Sequence, residues 1–143
     1  TMPVLTLKIA PLHNPERHAA LARALTDITA ATLGKRPEVT AVLIEDLPAA
    51  QWTVGAQPLQ RPSALLDISI SAGSNTAAQK AAFVQTAFAE LQRQLAPGGT
   101  LEAASYVIVR EVAMTDWGYG GLTQQARQQM RDALPAAAEA ALP

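Results

Sequence analysis

The stretch PVLTLKIA, residues 3–10, places Leu5, Leu7 and Ile9 on one face and Thr6 and Lys8 on the other. A period of two is that of a half-buried strand. The pattern returns in ALLDISIS, residues 64–71, where Leu66, Ile68 and Ile70 alternate with Asp67, Ser69 and Ser71. The segments after the two copies are also alike, and this repetition decides the fold.

After the first strand, Asn14 is a good helix N-cap and Pro15 suits the first helical turn. Leu21, Leu25, Ile28 and Thr32 recur at helical spacing, and Gly34 ends the helix. Thr40 to Glu45 reads as a second strand, stopped by Pro48, and Trp52-Thr53-Val54-Gly55 makes a turn or hairpin. In the second half, Ser74-Asn75-Thr76 offers caps, and Val84, Phe88, Leu91 and Leu95 form the apolar stripe. Pro97-Gly98-Gly99 ends that helix, Ser105 to Glu111 is a strand, and Trp117-Gly118-Tyr119-Gly120-Gly121 matches the first turn. Ile9 and Ile70 lie 61 positions apart, Leu25 and Phe88 63, and Trp52 and Trp117 65. The slow drift is that of a duplication with small insertions, chiefly around Pro97 to Thr100.

A helix between two strands makes a right-handed crossover, so the strands within each unit should be parallel. The expected fold is α/β (α+β): two tandem βαβ units forming a four-stranded sheet with two helices on one face. The 143 residues form a single domain. Unit one spans 3–56, a linker 57–63, unit two 64–121 and a helical tail 122–143, broken at Pro135. The uncovered sheet face carries Thr6, Lys8, Ala41, Leu43, Asp67, Ser69, Tyr106, Ile108 and Arg110. A sheet covered on one side commonly buries the other by assembly, so an oligomer is expected. The tail would wrap a neighbour or seal the core.

The formal net charge of −1 argues against nucleic acid and against an anionic membrane surface as partners. No apolar run reaches the roughly 18 residues of a membrane span, and no secretory leader is read at the start. Cysteine is absent, which removes disulfides and thiolate chemistry and fits a cytoplasmic setting. No Gly-rich phosphate loop, metal-spaced cluster or nucleophile elbow is present.

Three features together resemble the tautomerase superfamily, the group that includes 4-oxalocrotonate tautomerase. They are the start Met2-Pro3-Val4-Leu5-Thr6-Leu7, the helix-then-strand run through Thr40 to Asp46, and the repeated W-x-x-G. The resemblance covers residues 3 to about 127. It implies a cofactor-free isomerase in which Pro3, freed at the amino terminus, is the general acid/base. It also implies a small organic acid as substrate and a homotrimer as the assembly. The leading proline is then explained, because a terminal reagent need not donate to the sheet. With Thr1-Met2 attached, the Pro3 nitrogen is an amide without a basic lone pair, and the chain would be inactive.

Family members clamp substrate carboxylates with arginine, whose fork matches a carboxylate. The two clamp positions here carry His13 and Ser74 after the first strands, and Ala41 and Tyr106 at the start of the second. Arg110 is either a replacement charge or an interface ion-pair residue. His13 is a clamp or proton donor, and Tyr106 donates to a substrate oxygen or packs at an interface. Trp52 matches the aromatic lining the family's pocket, while Trp117 is read as a hairpin core anchor. His18 is expected as solvated surface, and Asp46 and Glu111 as solvated or ion-paired. Ala64 replaces Pro3 in unit two, so one active site per chain is expected. The expected function is keto–enol or double-bond proton transfer on a small unsaturated or 2-oxo acid. The alternatives are a hydratase-type dehalogenase or decarboxylase, and a non-catalytic trimeric scaffold.

Overall fold

The computed structural model describes residues 2–11 and 14–133. The duplication is visible in every strand and in both long helices. Strand β1 (Val4–Ala10) leads to helix α1 (Pro15–Leu33), strand β2 (Ala41–Asp46) and a hairpin of β3 (Thr53–Val54) and β4 (Gln57–Pro58). Strand β5 (Ser63–Ser71) leads to α2 (Ala77–Leu95), β6 (Tyr106–Val112) and a hairpin of β7 (Gly118–Tyr119) and β8 (Leu122–Thr123). Helix α3 (Gln124–Ala133) comes last. The stretch expected as a linker thus contributes β4, and the expected tail begins with β8. Pro135 lies outside the described residues.

Both long helices have 19 residues, each opened by a side-chain cap. Asn14 accepts from the backbone N–H groups of Glu16 and Arg17, and Thr76 forms a capping box with Gln79. The buried positions Leu21, Leu25 and Leu33 of α1 recur in α2 as Phe83, Ala87 and Leu95, 62 residues on. The counterpart of Leu25 is therefore Ala87, one position earlier than the periodicity of the sequence suggests; Phe88 is only half-buried. Each hairpin turns on two consecutive residues with positive φ, Gly55-Ala56 and Gly120-Gly121, as a two-residue primed turn requires.

The sheet order is β2-β1-β5-β6. Pairing is parallel within each unit and antiparallel between β1 and β5, where Leu7 faces Leu66 and Val4 faces Ser69. Leu5, Leu7 and Ile9 meet Leu66, Ile68 and Ile70, and both helices pack on this one face in a single core. The opposite face is open, with Leu43 and Tyr106 each more than half exposed. Equivalent polar contacts tie helix to outer strand: His18 to Asp46 at 2.9 Å and Lys80 to Glu111 at 3.3 Å. His18 is thus paired rather than simply solvated, because the first turn of α1 passes beside the end of β2. No helix among the described residues is long and apolar enough to cross a membrane.

Phe83 is fully buried in the core that α2 shares with the central strands. Phe83→Ala should cost about 3–5 kcal/mol, by transfer and cavity terms together. Lys80→Ala removes only a partly exposed pair and should cost under about 1 kcal/mol. Urea unfolding of the two variants checks the difference.

Candidate functional site

The antiparallel β1–β5 pair gives the sheet two unlike ends. At one end lie the start of β1, the start of β2, and the ends of β5 and β6. Pro3 is here, buried, with its carbonyl accepting from Ala41 N–H at 3.2 Å. Continuing the β1–β5 register places Pro3 opposite Ile70 and Met2 opposite Ser71. Met2 is itself only 4 % exposed.

Two connections converge on this end. Gly34, in the left-handed conformation at φ 68°, closes α1 and turns the chain into Lys35. The loop between β5 and α2 supplies Ser74 and Asn75, and Asn75 Nδ2 donates to the Leu33 carbonyl at 2.9 Å. Lys35 is buried, and its Nζ donates to Ser74 Oγ at 3.0 Å. Ser74 Oγ in turn donates to the Ser71 carbonyl at 2.6 Å. Among the described residues no carboxylate pairs with Lys35. Burial holds its ammonium below the ordinary lysine range. A buried cation with a neutral partner is a ready counter-ion for a carboxylate.

Trp117 and α3 complete the same end. Ala72 N–H donates to the Val112 carbonyl at the end of β6, and the chain then runs to Met114 and Trp117. The first turn of α3 sits on that run, with Gln124 N–H on the Trp117 carbonyl at 2.8 Å and Gln125 N–H on the Met114 carbonyl at 3.1 Å. Thr123 Oγ1 caps the helix through Ala126 N–H at 3.0 Å. Arg127 lies with its guanidinium carbon 4.8 Å from the Tyr119 ring centre.

The other site residues named from sequence fall differently. Arg110 is opposite Ser69, toward the Pro3 end, and its Nε pairs with Asp67 at 2.9 Å within its own chain. Tyr106 pairs with Leu65 near the far end of the sheet. Trp52 comes after β2, also at the far end, half-buried. The aromatic at the end of its own chain's Pro3 is the copy, Trp117. His13 lies outside the described residues. At the far end a cleft of about 150 Å³ is lined by Pro11, Ala49, Leu59, Gln60, Arg61 and Pro62. It occupies the place that the duplication relates to the surroundings of Pro3. Among the described residues no group of three His, Asp or Glu side chains is placed to hold a metal ion.

Lys35 was not singled out by pattern, since a lysine after a helix-ending glycine looks like solvated surface. Its burial accompanies the approach of the β5–α2 loop, which Asn75 ties to the end of α1.

Residues 3–60 match the tautomerase enzyme family. A wild-type fused 4-OT, solved as an asymmetric trimer, is 27% identical with a TM-score of 0.75, covering 86% of this chain and 97% of its own. Native fused 4-OT is also 27% identical, with a TM-score of 0.73 and the same coverage. A macrophage migration inhibitory factor-like protein from Entamoeba histolytica shares the fold at 18% identity and a TM-score of 0.69, covering 86% of this chain and 99% of its own. No match was found among curated proteins.

The lowered pKa of Lys35 sets a sign for stability. The folded state releases this proton before the unfolded state does, so burying the cation is a full cost at neutral pH. That cost is relieved as pH rises from the lowered value toward the ordinary one. Lys35→Met should therefore gain stability over the parent at pH 7, and the gap should shrink by pH 10. Urea midpoints of both proteins at the two pH values provide the check.

Proposed function

We propose that this chain, a tautomerase-superfamily member of fused two-unit architecture, catalyses keto–enol or double-bond proton transfer on a small 2-oxo or enol acid. The observation that carries this reading is that one end of the sheet holds both buried Pro3 and buried Lys35, a cation without a carboxylate partner among the described residues.

Pro3 acts once Thr1 and Met2 are removed. An α-amino group has an ordinary pKa of roughly 8, and burial favours its neutral form further. The neutral secondary amine takes the enol O–H proton. The resulting ammonium gives a proton to the neighbouring carbon, so that the C=C pair forms the new C–H bond and leaves a C–C single bond, and the C–O bond becomes C=O. The amine is regenerated and no cofactor is consumed. Lys35 takes the substrate carboxylate in place of the family's clamp arginines, with Ser74 holding its ammonium. Trp117 shields the amine from water. Arg110, engaged with Asp67, stays outside this set.

The chain assembles as a homotrimer through its open sheet face. Support comes from the exposed Leu43 and Tyr106 on that face and from the trimeric state of the fused 4-OT relatives.

A second reading has one observation behind it. While Met2 is attached, Pro3 carries no basic lone pair and the Met2 side chain is buried beside it. A chain that keeps Met2 is a non-catalytic scaffold.

Protein starting at Pro3, verified by intact mass, should ketonise phenylenolpyruvate. Pro3→Ala should lower kcat/KM by about 10²–10⁴, the usual worth of a general acid/base. A chain that retains Met2 should be silent in the same assay. Leu43→Asp combined with Tyr106→Asp should convert the trimer to smaller species in sedimentation velocity, through desolvated charge at the contact.

A further inference from the structure

We propose that Ser71 and Gln124 are the neutral hydrogen-bonding groups that hold the substrate's reacting oxygen in the Pro3 site, and that they make the site select a 2-oxo or enol monocarboxylate over a dicarboxylate. The inference rests on the proton-transfer reading above and names the chemistry of the same site.

Ser71 and Gln124 are both fully shielded from solvent. Among the described residues Ser71 Oγ has no hydrogen-bond partner, and neither Oε1 nor Nε2 of Gln124 has one. A buried polar group left unpaired bears its full desolvation penalty, and native proteins leave few of them. Ser71 is the last residue of β5, opposite Met2 in the continued register. Gln124 opens α3 against the Met114–Trp117 run that leaves β6. Both therefore stand at the Pro3 end of the sheet.

The duplication supplies an internal control. Ser71 corresponds to Ala10, as Ile70 does to Ile9. Gln124 corresponds to Leu59, since β4 and β8 are related by 65 positions. At these places unit one holds buried Ala10 and part-buried Leu59, so the duplicated strands and hairpins form without a polar pair. Leu59 lines the far cleft, at the place that the duplication relates to Gln124. The far end, where Ala64 stands in place of Pro3, has the apolar pair; the end with Pro3 and Lys35 has the polar pair. Removal of Met2 uncovers Ser71 and leaves a space that a small acid enters.

With the substrate carboxylate on Lys35, the C2 oxygen meets the Ser71 hydroxyl and the Gln124 amide. Nε2 and the Ser71 hydroxyl donate as negative charge grows on that oxygen while Pro3 takes the enol proton. Preplaced donors of this kind act mainly on the transition state. A second carboxylate would be driven against uncharged, desolvated groups, which penalises a dicarboxylate.

The test uses Pro3-started protein with Gln124→Leu and Ser71→Ala. Ketonisation of phenylenolpyruvate is measured beside turnover of a 2-hydroxydienoic dicarboxylate, thermal midpoint, and calorimetric binding of phenylpyruvate. Each variant should lose about 10- to 100-fold in kcat, with KM shifted less than about threefold and the thermal midpoint unchanged or raised. The parent should prefer the monocarboxylate. Gln124→Met, closer in length, replaces Gln124→Leu if the latter does not fold. Activity within twofold of the parent in both variants, or equal turnover of the dicarboxylate, overturns the inference and leaves the proton-transfer reading intact. A parent that binds phenylpyruvate without turnover, and loses binding in Gln124→Leu, sinks that reading but keeps the polar pair as a ligand site. No binding and no turnover by the parent overturns both.

Discussion

The antiparallel pairing of β1 with β5 is the constraint on which the rest depends. Each βαβ unit is internally parallel, so its helix lands on one sheet face by the usual handedness. Joining the two units through an antiparallel centre keeps both helices on that face, since the unit is rotated about an axis normal to the sheet. Leu5, Leu7 and Ile9 then share one core with Leu66, Ile68 and Ile70. The same rotation exchanges the ends of the units. The segment after the second strand of one unit therefore stands beside the first strand of the other.

This exchange explains the composition of the candidate site. Pro3 comes from unit one, but Ser71, Ser74, Trp117 and Gln124 come from unit two and the segment after it. Lys35 is the one contribution from unit one's own connection, reached because Gly34 turns the chain back at the end of α1. A duplicated chain with a leading proline in one unit only can specialise each end separately. The Pro3 end has a buried cation and buried polar atoms, whereas the far end has Ala10 and Leu59 at the matching places. Those buried polar groups lower stability, and a large shared apolar core offsets them.

The pattern of the sequence is most legible where local chemistry repeats. Alternation in residues 3–10 and 64–71, the caps at Asn14 and Thr76, and the glycine-bearing hairpins all state their element directly. Register is less legible: the helical stripes suggested Leu25 against Phe88, and the fold aligns Leu25 with Ala87. A helix stripe is wide, so adjacent positions read alike until packing selects one. The resemblance to a known family identified Pro3 as the residue to examine. The two tryptophans show the limit of such reading, since both carry the same motif and only the direction of β6 relative to β1 says which stands near Pro3.

Sequence alone therefore determined the two units, their helices and hairpins, the leading proline and the open polar–apolar sheet face, because each depends on neighbours within a few residues. Tertiary structure alone decided that Lys35, Ser71 and Gln124 are buried at the end of the sheet that holds Pro3. Burial is a property of contacts between distant segments. A lysine, a serine and a glutamine in solvated-looking stretches acquire chemical meaning only when another part of the chain excludes water from them.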